Sequence, residues 1–157
     1  MDEGRFSAGT EALLERAGRL CAARGVRLTD LRREVLGLIL DTEGPTGAYD
    51  LLDRLKAIRR GAAPPTVYRA LDFLVEHGMV HRVERLSAFV GCLAHEGEEH
   101  AAQFLICRTC SRVTEIEDGD LAHALADAAA RAGFSVGRAT IEAEGICAGC
   151  RAGDPVQ

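Results

Sequence analysis

Two Cys-x-x-Cys pairs, Cys107–Cys110 and Cys147–Cys150, constrain the fold of this chain more than any other feature. A two-residue gap lets one turn present both sulfurs to a single ion, and four thiolates form a closed tetrahedral site that suits zinc. We therefore predict a structural zinc ion bound by Cys107, Cys110, Cys147 and Cys150, with no open position for catalysis. Two redox-active dithiols are the alternative interpretation of the same pairs.

The composition is that of a globular protein. Of the 157 residues, 47% are hydrophobic and 27% are charged. No apolar run approaches the roughly 18 residues that a membrane span needs, and the first residues lack the pattern of a secretory signal. We therefore expect a cytoplasmic protein with no membrane partner. Aromatic residues make up only 4%, which disfavours stacking platforms for single-stranded nucleic acid.

Charge is distributed unevenly along the chain. Residues 1–90 carry 14 Lys/Arg and 13 Asp/Glu, whereas residues 91–157 carry 5 and 11, so the net charges are +1 and −6. One stretch of the first half has five basic residues and no acidic one, namely Arg54, Lys56, Arg59, Arg60 and Arg69. A local patch of this kind can contact a polyanion although the whole chain is acidic.

The first half has the pattern of helices followed by a hairpin. Apolar residues recur at helical spacing in residues 10–24, after a predicted N-cap at Thr29, in residues 48–55, and from Pro64 to Gly78. Two short apolar segments follow, at residues 79–84 and 88–92, and suit two hairpin strands. This order predicts a winged helix-turn-helix.

The fourth helix is the candidate for reading DNA. It has an apolar side with Val67, Ala70, Leu71, Leu74 and Val75, while Thr66 and Arg69 lie opposite and Tyr68 lies on the boundary. The aromatic ring of Phe73 falls outside the apolar stripe, and the pattern does not explain it. Taken alone, this pattern is also that of an amphipathic helix on any small domain.

The second half predicts a small α/β unit. Strands are expected at residues 103–106, 113–117 and 138–144, with a helix at 121–132. A unit of this size needs a metal ion or dimerisation for stability. The predicted fold is α+β, with a winged-helix domain at 1–90, a hinge at 91–100 and an α/β dimerisation domain at 101–157.

A second, mixed-ligand metal site is a further hypothesis. His81 lies in the predicted wing, Cys92 at its end, His100 just beyond the hinge, and Glu115 on a strand of the second domain. One sulfur, two nitrogens and one oxygen form a plausible zinc set. From spacing alone, four solvated surface residues are the favoured interpretation.

Other histidines and acidic residues leave several possibilities open. Glu117 or His95 could replace Glu115 or His100, and His77, His95 or His123 could belong to a third metal site. His95 and His100 are five residues apart with a glycine between them, which disfavours the metalloprotease motif. Neither Cys pair follows a proline, which disfavours a zinc deaminase. We therefore expect no enzymatic activity and no small-molecule substrate.

The segment PPTVYRALDFLVEHGMVHRVE (Pro64–Glu84) resembles the ferric uptake regulator family, and within it the zinc-sensing subgroup. Further matching stretches are VRLTDLRREVL (Val26–Leu36), AYDLLDRL (Ala48–Leu55), FLICRTC (Phe104–Cys110) and IEAEGICAGC (Ile141–Cys150). Where iron-sensing members carry a His-His-Asp-His motif, this chain has EHAAQFLIC, which disfavours iron sensing. A regulator of the same family that senses another metal (iron or nickel) and a thiol redox protein remain alternatives.

The resemblance implies a zinc-responsive transcriptional repressor that binds an inverted-repeat DNA operator as a homodimer and controls zinc uptake genes. By position, the sensing ligands match His81, Cys92, His100 and Glu115, so two zinc ions per subunit are expected. The family's DNA-contacting pair matches Tyr68 and Arg69. Thr66 is a further candidate on the same helix, and the candidates for phosphate contacts are Arg54, Lys56, Arg59 and Arg60.

Overall fold

Four helices form most of the first half of the chain in the computed structural model, which describes residues 4–92 and 101–153. They are α1 (Ala8–Ala23), α2 (Asp30–Leu40), α3 (Ala48–Ile58) and α4 (Pro64–Glu76). Thr29 is the N-cap of α2 as predicted, because its side chain accepts a hydrogen bond from the Arg32 amide. Two prolines occupy the first turn of α4, where no intrahelical donor is needed.

A three-stranded antiparallel sheet completes the first half. Its strands are β1 (Thr46–Gly47), β2 (Val80–Val83) and β3 (Ala88–Gly91), in the order β1-β3-β2. The predicted hairpin is therefore confirmed, and a 3-10 turn at Glu84–Leu86 connects its strands. Together with the helices, this sheet gives a winged helix-turn-helix, so the predicted α+β fold is confirmed.

The core of this half fixes α4 against the other helices. Leu36 of α2, Leu51 of α3 and Leu74 of α4 are completely buried in one apolar cluster. Each such side chain contributes roughly 1.5–3 kcal/mol through burial. Strand β3 approaches α2 closely, since a Cβ atom at Gly91 would lie 2.4 Å from Leu40 Cδ2. The wing and the helices therefore form one packed body.

The structure explains the position of Phe73, which the helical stripe did not. Phe73 is buried, and the guanidinium carbon of Arg32 lies 3.7 Å from the centre of its ring. The ring of His77 lies on it at 4.4 Å between centroids. A cation over an aromatic face is an attractive contact, so α2 covers this side of α4.

The second half is built on a mixed sheet. Its elements in chain order are β4 (Ala102–Cys107), β5 (Val113–Ile116), α5 (Gly119–Arg131), β6 (Thr140–Gly145) and α6 (Ala148–Gly153). The strand order is β5-β4-β6, with β4 antiparallel to β5 and parallel to β6. The buried Gln103 side chain donates to the Asp118 carbonyl and accepts from the Asp118 amide, at 3.0 and 3.1 Å. This pair of bonds fixes the start of α5.

Helix α5 leaves its apolar face uncovered. None of its described residues is buried, and both Leu121 and Leu125 are exposed. Leu105 on β4 is 45% exposed, and Phe134, just after α5, is 66% exposed. The predicted helix is confirmed, but no described element of this half of the chain buries its leucines.

The chain divides into two compact units, Met1–Glu98 and Glu99–Gln157. The core of the predicted hinge, Leu93–Glu99, lies outside the described residues, as do His95 and His100. Within the described ranges, no helix combines the length and apolar character that a membrane crossing requires.

Candidate metal centres and nucleic-acid interface

The four paired cysteines converge on one point. One sulfur from each of Cys107, Cys110, Cys147 and Cys150 lies within 4.8 Å of every other. The Cys110 and Cys147 sulfurs are 3.8 Å apart. A tetrahedral site with zinc–sulfur bonds of about 2.3 Å has sulfur–sulfur edges of about 3.8 Å. The cluster therefore has the size and the donor chemistry of a structural zinc site.

Parallel pairing of β4 with β6 brings the two Cys pairs together. Cys107 is the last residue of β4 and is paired with Gly145 at the end of β6, so Cys147 follows at the same edge of the sheet. After Cys107 the chain turns back, with the Ser111 amide bonded to the Cys107 carbonyl at 2.8 Å. Cys150 lies in the short helix α6. Two strand ends thus hold four sulfurs around one point.

Backbone donors favour the thiolate form of two of the four cysteines. The pKa of Cys107 is lowered to about 5, first by the Cys147 amide, which donates to its sulfur at 3.4 Å, and then by the Cys110 amide. The pKa of Cys147 is lowered, first by the Cys150 amide. The pKa of Cys150 is raised to about 12, chiefly because its thiol shares a hydrogen bond with Cys147. The thiolate is the form that binds metal, so Cys107 and Cys147 are shifted toward the metal-binding form and Cys150 is shifted away from it.

His81 and Cys92 lie together at one end of the hairpin. His81 is on β2, and Cys92 follows β3. The Cys92 amide donates to the Met79 carbonyl at 2.8 Å, which holds the two chain segments side by side. A ring nitrogen of His81 and the sulfur of the buried Cys92 are within 4.8 Å of each other. This pair can supply one nitrogen and one sulfur ligand from a single hairpin.

The other predicted ligands lie in different parts of the chain. Glu115 is on β5, where it pairs with Phe104 across the sheet, and Glu117 follows the end of that strand. Glu142 on β6 pairs with Phe104 from the other side. Glu142 is therefore a second carboxylate on the Glu115 face of the sheet. The alternating sequence of residues 138–144 predicted which face of the strand carries Glu142. Only the register of β4 with β6 shows that Glu142 lies beside Phe104.

The described residues give no support to a third metal site. Neither His77 nor His123 belongs to a group of three or more metal-ligating side chains within residues 4–92 and 101–153. The imidazole of His77 packs on Phe73 instead.

The predicted DNA-reading residues share the outer side of α4. Tyr68 is 46% exposed, and Arg69 is also exposed. Thr66, one turn earlier, is half-buried. Arg69 forms no ion pair within the described part of the chain, so its guanidinium is available to a ligand.

The basic residues before α4 differ in their surroundings. Arg54 donates to the Leu38 carbonyl and the Thr42 hydroxyl, and Arg59 forms an ion pair with Glu34. These two guanidinium groups are used inside the first unit. By contrast, the exposed Lys56 and Arg60 have no ion-pair partner among the described residues. One shallow groove at the start of α4 is lined by Leu31, Arg59, Arg60, Gly61, Ala62 and Thr66.

The chain is similar to known proteins of one family. The ferric uptake regulator family matches residues 23–144 of the chain. The zinc uptake regulation protein of Escherichia coli (strain K12) is 45% identical over 144 residues, which are 90% of this chain and 82% of that protein. The zinc uptake regulation protein of Mycobacterium tuberculosis (strain ATCC 25618 / H37Rv) is 31% identical over 133 residues, or 83% of this chain and 98% of that protein.

A solved structure described as a zinc uptake regulator complexed with zinc and DNA is also similar. It superposes with a TM-score of 0.87 at 42% identity, covering 93% of this chain and 97% of that one. The resemblance predicted from Pro64–Glu84 is thereby confirmed. The chain belongs to the ferric uptake regulator family.

Proposed function

We propose that this chain is a zinc-responsive transcriptional repressor that binds an inverted-repeat operator as a homodimer in the cytoplasm and controls zinc uptake genes. The single observation that carries the proposal is the His81–Cys92 pair on the hairpin directly after α4. The pair offers zinc a nitrogen and a sulfur ligand next to the helix proposed to read DNA. The relatives of this chain that are named zinc uptake regulation protein support the same function, and so does the similar structure of a zinc uptake regulator complexed with zinc and DNA.

Two zinc ions per subunit have different roles in this proposal. The first binds Cys107, Cys110, Cys147 and Cys150 and has a structural role, supported by the 3.8 Å separation of the Cys110 and Cys147 sulfurs. The second binds His81, Cys92, His100 and Glu115 and has a regulatory role. Cys92 favours zinc over harder ions because its ligand atom is a soft sulfur.

The regulatory ion would act by linkage between zinc and DNA. Its ligands come from the wing, the hinge and the second domain, so zinc would favour one arrangement of the DNA-binding unit. If that arrangement also binds DNA best, zinc raises the affinity for DNA, and DNA raises the affinity for zinc by the same factor. A coupling of about 1–3 kcal/mol is typical of such a link.

DNA recognition is proposed for the outer side of α4. Arg69 can donate two hydrogen bonds to the edge of a guanine, and Tyr68 offers an apolar edge and a hydroxyl. Thr66 is the third proposed contact on this helix. Lys56 and Arg60 are the strongest candidates for phosphate contacts, because Arg54 and Arg59 already have partners within the first unit. One recognition helix reads only a few base pairs, so two helices on an inverted repeat would supply specificity.

Homodimerisation is proposed for the second unit. The exposed apolar side chains of Leu121 and Leu125 on α5, together with Phe134, support this assignment. Exposed apolar groups of this size commonly mark an interface. A second copy of the chain would bury them and place two recognition helices in one particle.

The test is a zinc titration of operator binding. The operator is first selected from random-sequence DNA with the zinc-loaded protein, and its dissociation constant is then measured with buffered zinc and after chelation. We expect binding at least tenfold tighter with zinc, and His81→Ala or Cys92→Ser to abolish the difference while leaving the fold and the dimer intact. Cys21→Ala is the matched control, because it removes a buried thiol of the first unit that the proposal does not use. Equal binding by wild type with and without zinc would refute the proposal.

A further inference from the structure

The proposed recognition helix, α4, ends in a hydrogen-bonded turn at Gly78 and Met79. Gly78 adopts a positive φ of 72°, and its amide donates to the Val75 carbonyl at 3.1 Å. The next amide, from Met79, reaches back to the Leu74 carbonyl at 2.9 Å. These two bonds are those of a Schellman motif, whose apolar contact joins the residue after the glycine to the last turn of the helix. Met79 and Leu74, the two residues at these positions, are both completely buried.

The same turn holds the hairpin that carries two proposed zinc ligands. The Met79 carbonyl accepts a hydrogen bond from the Cys92 amide at 2.8 Å. Strand pairing begins at the next residue, with Val80 opposite Gly91. Met79 therefore joins α4 through its amide and Cys92 through its carbonyl. His81 is only two residues farther along β2.

The helix side of the turn is also fixed. The Arg24 guanidinium donates to the His77 carbonyl at 2.7 Å, and the Arg32 guanidinium covers Phe73. Positive groups at the C-terminus of a helix interact favourably with its dipole. The last turn of α4 is thus held by Arg24 and Arg32, and the Gly78–Met79 turn is its backbone connection to the hairpin.

We propose that the Gly78–Met79 turn is a positioning element that transmits the zinc-bound state of the hairpin to the recognition helix. This inference rests on the proposed function. Gly78 contacts neither zinc nor DNA in this scheme. It acts because the turn holds α4 to the hairpin together with the apolar core that Leu74, Val80 and Phe89 share. A turn that has lost its two backbone hydrogen bonds would let α4 follow the ion-bound hairpin less closely, and the linkage would weaken.

The chain contains a matched control for this turn. Helix α1 ends in the same motif, with Gly25 at φ 70° and its amide bonded to the Ala22 carbonyl at 3.1 Å. The Val26 amide reaches back to the Cys21 carbonyl at 3.0 Å. A Cβ atom at Gly25 or at Gly78 would meet no other atom within 4 Å. Alanine therefore imposes the same kind of backbone strain at both sites, but only Gly78 adjoins proposed zinc ligands.

The experiment compares Gly78→Ala with Gly25→Ala in the full chain. Thermal melts give the stability of each variant, and the selected operator gives the ratio of dissociation constants without and with zinc. We expect similar losses of stability. The ratio should fall about fivefold or more for Gly78→Ala, because strain at this position favours loss of the two hydrogen bonds of the turn, and stay within about twofold of wild type for Gly25→Ala. Gly78→Asn should restore most of the ratio, because Asn tolerates this conformation.

Hydrogen exchange in the wild-type protein tests the same point without a variant. Zinc should slow exchange of the Met79 and Cys92 amides together, and leave the Val26 amide unchanged. Protection confined to Cys92 would overturn the inference, even where Gly78→Ala fails to fold. Equal zinc ratios for folded Gly78→Ala and Gly25→Ala would also overturn it. A wild-type protein that binds its operator equally well without zinc would instead refute the proposed function.

Discussion

The amide of Cys147 donates a hydrogen bond to the sulfur of Cys107 at 3.4 Å, across two parallel strands that are far apart in sequence. This bond lowers the pKa of the Cys107 thiol and holds Cys107 and Cys147 next to each other. A metal ion at this point would join the end of β4 to the start of α6. None of the described residues of α5 is buried. We therefore expect the stability of this unit to depend mainly on the sheet and on such an ion.

Removal of one cysteine ligand tests the structural zinc. Cys107→Ser replaces a buried thiolate by a hydroxyl, a much weaker zinc ligand at neutral pH. We expect loss of one zinc ion per subunit and a melting transition of the second unit that is lowered or lost. Atomic absorption and calorimetry measure the two effects.

Thr109→Ala provides the control for that variant. Thr109 is exposed and lies in the same turn, between the two cysteines of the first pair, but its side chain is not a predicted ligand. The Thr109→Ala variant should keep the zinc content and the melting curve of wild type. Cys107→Ser with an unchanged melt and full zinc content would contradict a structural role for the cluster.

Local sequence patterns were sufficient for the helices and the hairpin. The apolar stripe after Pro64-Pro65 predicted α4, and Thr29 predicted the start of α2, because both signals act within one or two turns. Strand β1 was not predicted, since two residues have no periodicity. Phe73 was not explained either, because its cover comes from Arg32 of another helix.

The sites show the same division between local and distant information. The spacing of the cysteines predicted a four-sulfur cluster, and the structure brings those sulfurs together. The run of basic residues did not reveal that Arg54 and Arg59 bind inside the first unit, because Thr42 and Glu34 come from elsewhere in the sequence. His100 lies outside the described residues, so its role stays a prediction.

The acid stability of the first unit should depend on Asp41. Hydrogen bonds from the side chains of Ser7 and Thr10 lower the pKa of this carboxyl group. A carboxyl with a lowered pKa in the folded state stabilises the fold above its unfolded pKa and loses this effect as the pH falls through the folded value. Asp41→Asn should therefore melt below wild type at pH 7, and the difference should vanish in strong acid. Melts of both proteins from pH 2 to pH 7 measure this.

Asp53→Asn is the comparison for the Asp41 variant. Asp53 is an exposed carboxylate on α3. Its melts should track wild type across the same pH range. A pH-independent difference between Asp41→Asn and wild type would show that the variant acts through packing and not through the charge.

The exposed leucines of α5 give a test of the dimer. Leu125→Glu places a charge on the apolar face of α5, where a second copy would have to bury it. We expect the dimer dissociation constant to rise at least tenfold, measured by sedimentation. Ala130→Glu adds the same charge on another side of the helix, also at an exposed position, and should leave the dimer unchanged. Equal weakening by both variants would point to net charge, and no weakening by Leu125→Glu would exclude this face.

Two arginines near α4 are expected to differ in how they affect DNA binding. Arg69→Ala should lower affinity for the selected operator by about 1–3 kcal/mol and relax the base preference at one position of each half-site, because a bidentate contact to guanine is lost. Arg60→Ala should weaken binding to all sequences about equally and reduce the slope of log K against log salt by about 1, as the loss of one phosphate contact predicts. Titrations at several salt concentrations, on the operator and on a scrambled duplex, separate the two effects. Loss of sequence preference in Arg60→Ala, with preference retained in Arg69→Ala, would reverse the proposed roles.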